Sequence, residues 1–172
     1  MCATVAEMVA KRQDQIDHDR VAREFPWLFE RKQDCILSPD SDGLLCGLLM
    51  SHFLKWRVRG FYDGKAMVAH HTVAPSKCVF LDMEVFRRGV RSVGQHMLRY
   101  DLRSHEEEKG AFGQCLAINN FRGYVKTKEF RLKYPFGTVH LLLSCVSQQV
   151  GVDIRDQGVI PLLFTDGTYH NL

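Results

Sequence analysis

The sequence predicts an α/β fold, a mainly parallel sheet flanked by helices, and three observations carry that expectation. Short apolar runs recur along the chain and lead into Asp: Cys35-Ile36-Leu37 before Asp40, Val79-Phe80-Leu81 before Asp82, and Ile160 to Phe164 before Asp166. Runs of this length bounded by turn residues read as buried strands. The first of them passes through Ser38-Pro39-Asp40-Ser41-Asp42-Gly43 into Leu44, Leu45, Leu48, Leu49, Phe53 and Leu54, whose spacing is helical. Strands that alternate with helices imply parallel pairing.

Taken in order, residues from about Thr4 to Phe29 read as helical, with an N-terminal helix expected over about 3–25. Val5, Met8, Val9, Ile16 and Val21 recur near the helical period, and Pro26 punctuates the end. Lys32 to Ser38 is the first strand. Gly43 then opens a helix whose N-terminus points at the Asp40 to Gly43 turn, where its partial positive charge favours a carboxylate or phosphate. Arg57 to Tyr62 is a second strand, closed by Asp63-Gly64, and Lys77 to Leu81 a third. From Val85 to Gly113 the pattern weakens to a loop or short helix through Val90, followed by the charged run Ser104 to Lys109, read as a solvated turn. Phe136-Gly137-Thr138 starts a helix running to about Val150, with Thr138 available as a cap. Gly158 to Thr165 is the last strand. No repeat, low-complexity tract or Ser/Gly linker divides the chain, so residues 1–172 read as one domain with its motif-bearing core over about 33–168.

At 172 residues, 45% of them hydrophobic and 25% charged, the chain can bury a sizeable core without disulfide staples. No apolar stretch approaches the length of a membrane span, and Met1 to Ala10, with Glu7 inside it, is no secretory signal; a cytoplasmic protein without membrane contact is expected. The six cysteines form no C-x-x-C pair and most lie within apolar runs, which reads as free buried thiols. A formal charge of +3 does not by itself point to nucleic acid, yet the basic residues cluster. Arg87, Arg88, Arg91, Arg99 and Arg103 form one group, and Arg122, Lys126, Lys128, Arg131 and Lys133 another. Beside a carboxylate centre they suit a phosphorylated ligand; as a solvated face they need no ligand.

Several Asp side chains delivered to one sheet edge repel unless a cation neutralises them, and oxygen ligands suit Mg²⁺ or Mn²⁺. The order Ser38-Pro39-Asp40-Ser41-Asp42-Gly43, then Asp82 after a strand, then Gly94-Gln95-His96, then Asp166 resembles the DHH phosphoesterase superfamily. Its first motif has the form H-x-N-P-D-x-D, its second is an Asp after a strand, its third gives the name and its fourth is a further Asp. Tyr134-Pro135-Phe136-Gly137-Thr138 leading into an apolar helix is similar to the segment that family carries after its third motif. The resemblance implies that Asp40 serves one metal, Asp42 and Asp166 the other, and that Asp82 bridges, with His96 as a further ligand. It also implies water attack on phosphorus in a nucleotide or single-stranded nucleic acid, with Arg88, Arg91 or Arg122 meeting the phosphate.

The departures are as specific as the matches. Ile36 stands where the first motif has His, and Gly94-Gln95 stand where the third has Asp-His. One ion, two ions or none is therefore compatible with the pattern, and the rival expectation is a catalytically degenerate binding or interaction subunit, in a larger complex or a homo-oligomer. The family's active enzymes carry a second, substrate-binding domain, which is not expected here, so the chain reads as a minimal relative or a fragment. Read singly, Asp40 and Asp42 also suit an Asx-turn and helix cap, Asp82 and Asp166 suit turns, and His96 suits an ordinary surface or core histidine. His70-His71 reads as loop rather than zinc site, and Ser144 and Cys145 have no base beside them in sequence.

Overall fold

Cys35, Ile36 and Leu37 are apolar without interruption, as a strand covered on both faces requires. In the computed structural model, which describes residues 15–97, 113–123 and 133–165, they lie in β1 (Asp34–Leu37) at the middle of a six-stranded sheet. The other strands are β2 (Arg57–Tyr62), β3 (Met67–Ala69), β4 (Val79–Leu81), β5 (Arg91–Gly94) and β6 (Cys115–Ala117), in the order β3-β2-β1-β4-β5-β6. All neighbours pair parallel except β2 and β3, a hairpin around the Asp63-Gly64 turn that places an antiparallel strand at one edge.

Strand alternation sorts the core. Cys35, Leu37, Val79 and Leu81 point to one face and meet α2 (Ser41–Leu54) and α4 (Thr138–Ser147), with Val21 of α1 (His18–Glu24) in the same cluster. Ile36 and Phe80 point to the other face, where Cys78 and Val90 complete a smaller cluster. Leu28, Met50, Leu141 and Leu142 are fully buried, each such side chain contributing about 1.5–3 kcal/mol by its removal from water. Cys35, Cys46, Cys78, Cys115 and Cys145 are buried free thiols, as expected.

Three expectations change. Gly158 to Thr165 forms no strand: Asp156–Leu163 is a helix, α5, with Pro161 inside it and no buried residue. A short apolar run has no period that separates strand from helix, and only its neighbours decide. Inside the stretch read as loop, Arg91–Gly94 is an interior strand with one large apolar residue, Val93; buried Ser92 satisfies its hydroxyl by accepting from the Val85 N–H at 3.0 Å. The short edge strands β3 and β6 also escaped the pattern. Within the expected N-terminal helix, the described part is α1, followed by a 3₁₀ turn over Pro26–Phe29 that begins at the proline. Residues 104–109 lie outside the described residues. Among the described residues, no helix is long and apolar enough to cross a membrane.

Candidate functional site

From β1 the chain first pairs with β2 on one side and later with β4 on the other, so β1 and β4 meet at a reversal of strand order. Open α/β sheets form their ligand crevice at the carboxyl ends of such a pair. Ser38 and Asp40 follow β1, Asp82 follows β4 and His96 follows β5, and these residues line a cavity of about 620 Å³ together with Tyr62 and Glu84. Three of the predicted site residues, Asp40, Asp82 and His96, are thus brought together. Asp42 lies beneath them, fully buried in the first turn of α2. Asp166 lies outside the described residues.

Each carboxylate is held by specific donors. Asp40 is extended and caps α2, its Oδ1 accepting the Gly43 N–H at 2.9 Å. Asp42 accepts the Thr138 N–H at 2.6 Å on Oδ2 and the Val139 N–H at 2.8 Å on Oδ1, two donors that the N-terminus of α4 leaves unpaired. The helix approaches closely because residue 137 is glycine: a Cβ there would stand 2.6 Å from Asp42 Oδ2. Thr138 is therefore no side-chain cap of its own helix. Its hydroxyl donates to Asp82 Oδ1 at 2.6 Å instead.

Ser38 Oγ lies 2.8 Å from Asp82 Oδ2 and 2.6 Å from Asp40 Oδ1. A hydroxyl has one proton to give. It therefore donates to Asp40 or to Asp82 at any moment, not to both. Burial, followed by the negative charge of Asp42, pushes Asp82 up to about 8, against the opposing pull of the Thr138 and Ser38 hydroxyls. Burial also raises Asp42, against the opposing pull of its two backbone donors. At the rim Asp63 behaves in the opposite way, since the N–H groups of Ala66 and Lys65 hold it below the usual carboxylate range. Asp82 adopts a left-handed backbone (φ 61°), a conformation that Asp tolerates better than most residues and one found at functional turns.

The described carboxylates of the site are each engaged with protein donors. Asp42 spends both oxygens on α4, and both Asp82 oxygens are engaged with hydroxyls. His96 Nε2 stands 3.8 Å from Asp82 and Nδ1 3.6 Å from Glu84, directed at carboxylates rather than sharing a point with them. No group of three or more His, Cys, Asp or Glu side chains among the described residues is arranged to hold an ion. Ile36 is fully buried in the cluster on the sheet's second face, away from any ligand role. At Gly94 a Cβ would fall 2.7 Å from the Glu84 carboxyl carbon. Glu84 therefore occupies the space in which an Asp side chain at position 94 would stand, and its Oε1 accepts the Met97 N–H at 2.9 Å. Gln95 is buried, its carbonyl accepting from Asn119 at 2.7 Å.

No protein-family model, curated protein or solved structure matches the chain.

The predicted phosphate residues do not join the crevice. Arg91 begins β5, at the opposite end of the sheet from His96, and bonds Gln33 and the Lys77 carbonyl, with Glu30 at 3.9 Å. Arg88 is exposed in the turn just before β5, at that same end. Arg122 follows a short helix, α3 (Ile118–Phe121), and lines a different cavity. Arg99, Arg103, Lys126, Lys128 and Arg131 lie outside the described residues. His70 and His71 stack at 4.5 Å in an exposed turn, as loop residues.

Sequence reasoning missed Glu84 and the part played by Thr138. It also missed His18, whose Nε2 lies 2.7 Å from Ser144 Oγ across 126 positions. Only Glu84 left a local signal, as a second carboxylate two positions after Asp82.

Proposed function

We propose that the chain is a domain of the DHH-phosphoesterase type in which the motif carboxylates have become a structural lock, and that it works as a ligand-binding or interaction subunit. One observation carries this reading: Asp42, the motif's central carboxylate, gives both oxygens to the backbone of α4 and joins the two halves of the chain. Three features support it. Ile36 packs in the core, Glu84 fills the space beside Gly94, and Asp82 is held by Ser38 and Thr138. The parallel sheet with Asp40 and Asp82 at its point of strand reversal supports the fold type.

A second reading, a phosphoesterase dependent on one Mn²⁺ or Mg²⁺ ion, is favoured by the meeting of Asp40, Asp82, Glu84 and His96 in one crevice. Hydrolysis of bis-p-nitrophenyl phosphate with added Mn²⁺ or Mg²⁺ separates the two. The binding-subunit reading expects background rates for both the wild type and Asp82→Asn. Metal-dependent turnover that disappears in Asp82→Asn would establish the hydrolase.

A further inference from the structure

A cavity of about 950 Å³ runs along α4 and shares no lining residue with the acidic crevice. His18, Arg122, His140 and Ser144, with Gln15 and Ser147, supply its polar wall, and its described lining contains no Asp or Glu, whereas Asp40, Asp63, Asp82 and Glu84 line the crevice. An anion therefore meets repulsion in the crevice and donors here.

The wall is built by the fold rather than by loose surface chains. Arg122 closes α3, its N–H bonded to the Ile118 carbonyl at 3.0 Å. The Tyr134 N–H donates to the buried Asn119 side chain at 2.8 Å, which fixes the segment carrying Phe136. His18 and Ser144 hold one another at 2.7 Å. Phe136 is 44% exposed, with the Tyr134 ring edge-on at 5.8 Å and the His140 ring tilted at 5.5 Å, so an exposed aromatic ring stands beside the donors. His140 Nδ1 is buried and has no hydrogen-bond partner among the described residues.

We infer that this cavity binds a small planar anion, a ring bearing a phosphate, with Arg122 on the phosphate, His140 and the His18–Ser144 pair completing its donors, and Phe136 and Tyr134 taking the ring. The cavity has room for such a ligand and for a larger group attached to it. Arg122, His140 and the one donor left to the His18–Ser144 pair suit the three oxygens and higher charge of a phosphate. The site deepens the binding-subunit reading by naming a ligand class, yet it stands independently of the chemistry in the crevice.

Calorimetric titration of the full chain with phenyl phosphate, benzoate, phenol and inorganic phosphate tests it, using wild type, Arg122→Gln, Ser144→Ala and Asp82→Asn. Circular dichroism checks that each variant folds. Phenyl phosphate is expected to bind saturably, at least about tenfold more tightly than phenol or benzoate, with inorganic phosphate competing. Arg122→Gln and Ser144→Ala should each weaken it by about tenfold, and Asp82→Asn should leave it unchanged. Should Arg122→Gln fail to fold, Ser144→Ala decides. Absent saturable binding overturns the inference, as does phenol or benzoate binding as tightly as phenyl phosphate. Binding abolished by Asp82→Asn but indifferent to Arg122→Gln overturns it too, and places the ligand in the crevice. Turnover in the crevice assay, by contrast, would remove the binding-subunit reading and leave this cavity's result untouched.

Discussion

Asp42 sits where a carboxylate one turn into α2 faces the start of α4, and it accepts two N–H groups that the helix cannot pair internally. Truncation to Ala would leave both donors buried and unpaired, at about 1–3 kcal/mol each, so Asp42→Ala is expected to lower the unfolding free energy by roughly 2–6 kcal/mol. Asp42→Asn keeps one good acceptor and should fall between. Urea titration measures both, and an unchanged midpoint for the Ala variant would remove the lock. The sequence marks Asp42 as unusual because it follows Asp40 at a strand end. It does not reveal the partner, which lies 96 positions away and contributes only backbone N–H. A side-chain pattern carries no trace of such a bond, which is why a metal ligand and a helix anchor look alike at that position. Glu84 and Gly94 present the same difficulty, since steric exclusion between positions ten apart appears only once β4 and β5 pair.

Helices α4 and α5 show how much of an element is legible from its own residues. In α4, Leu141, Leu142, Cys145 and Val146 recur at helical spacing and are all buried in the main core cluster, so period and packing agree. In α5, Val159, Ile160, Leu162 and Leu163 are as apolar as any strand in the chain, yet none is buried. Composition alone suggested a strand there, while Arg91–Gly94 lay unnoticed because its burial comes from the strands beside it. The two helices should therefore respond differently to the same kind of truncation. Leu141→Ala removes a fully buried side chain and should cost about 2–5 kcal/mol. Ile160→Ala, at a position 61% exposed, should stay within about 0.5 kcal/mol. Thermal unfolding of the two variants compares them directly; equal losses would mean that α5 is packed in solution.

Across the whole molecule, a formal charge of +3 conceals a segregation: four acids line the crevice and none lines the described wall of the second cavity. The acidic side carries a pH signature in overall stability. An unfolded Asp titrates near 3.8, whereas folded Asp82 titrates at about 8, raised first by burial and then by Asp42. Between those values the folded state holds a proton that the unfolded chain has released, so the folded state binds more protons and stability falls as pH rises. The contribution is fully present below the unfolded value and is lost as pH passes through the folded one, with a slope of at most about 1.4 kcal/mol per pH unit for one proton. Asp42 is raised in the same direction and adds no opposing slope. Asp82→Asn retains a neutral group of the same shape with nothing to titrate. Its stability should therefore vary less between pH 4 and 8, and its disadvantage against wild type should shrink or reverse toward pH 8. Urea midpoints at pH 5, 6.5 and 8 for both proteins measure this. A wild-type midpoint that rises across the window would mean that Asp82 is ionised in the folded state.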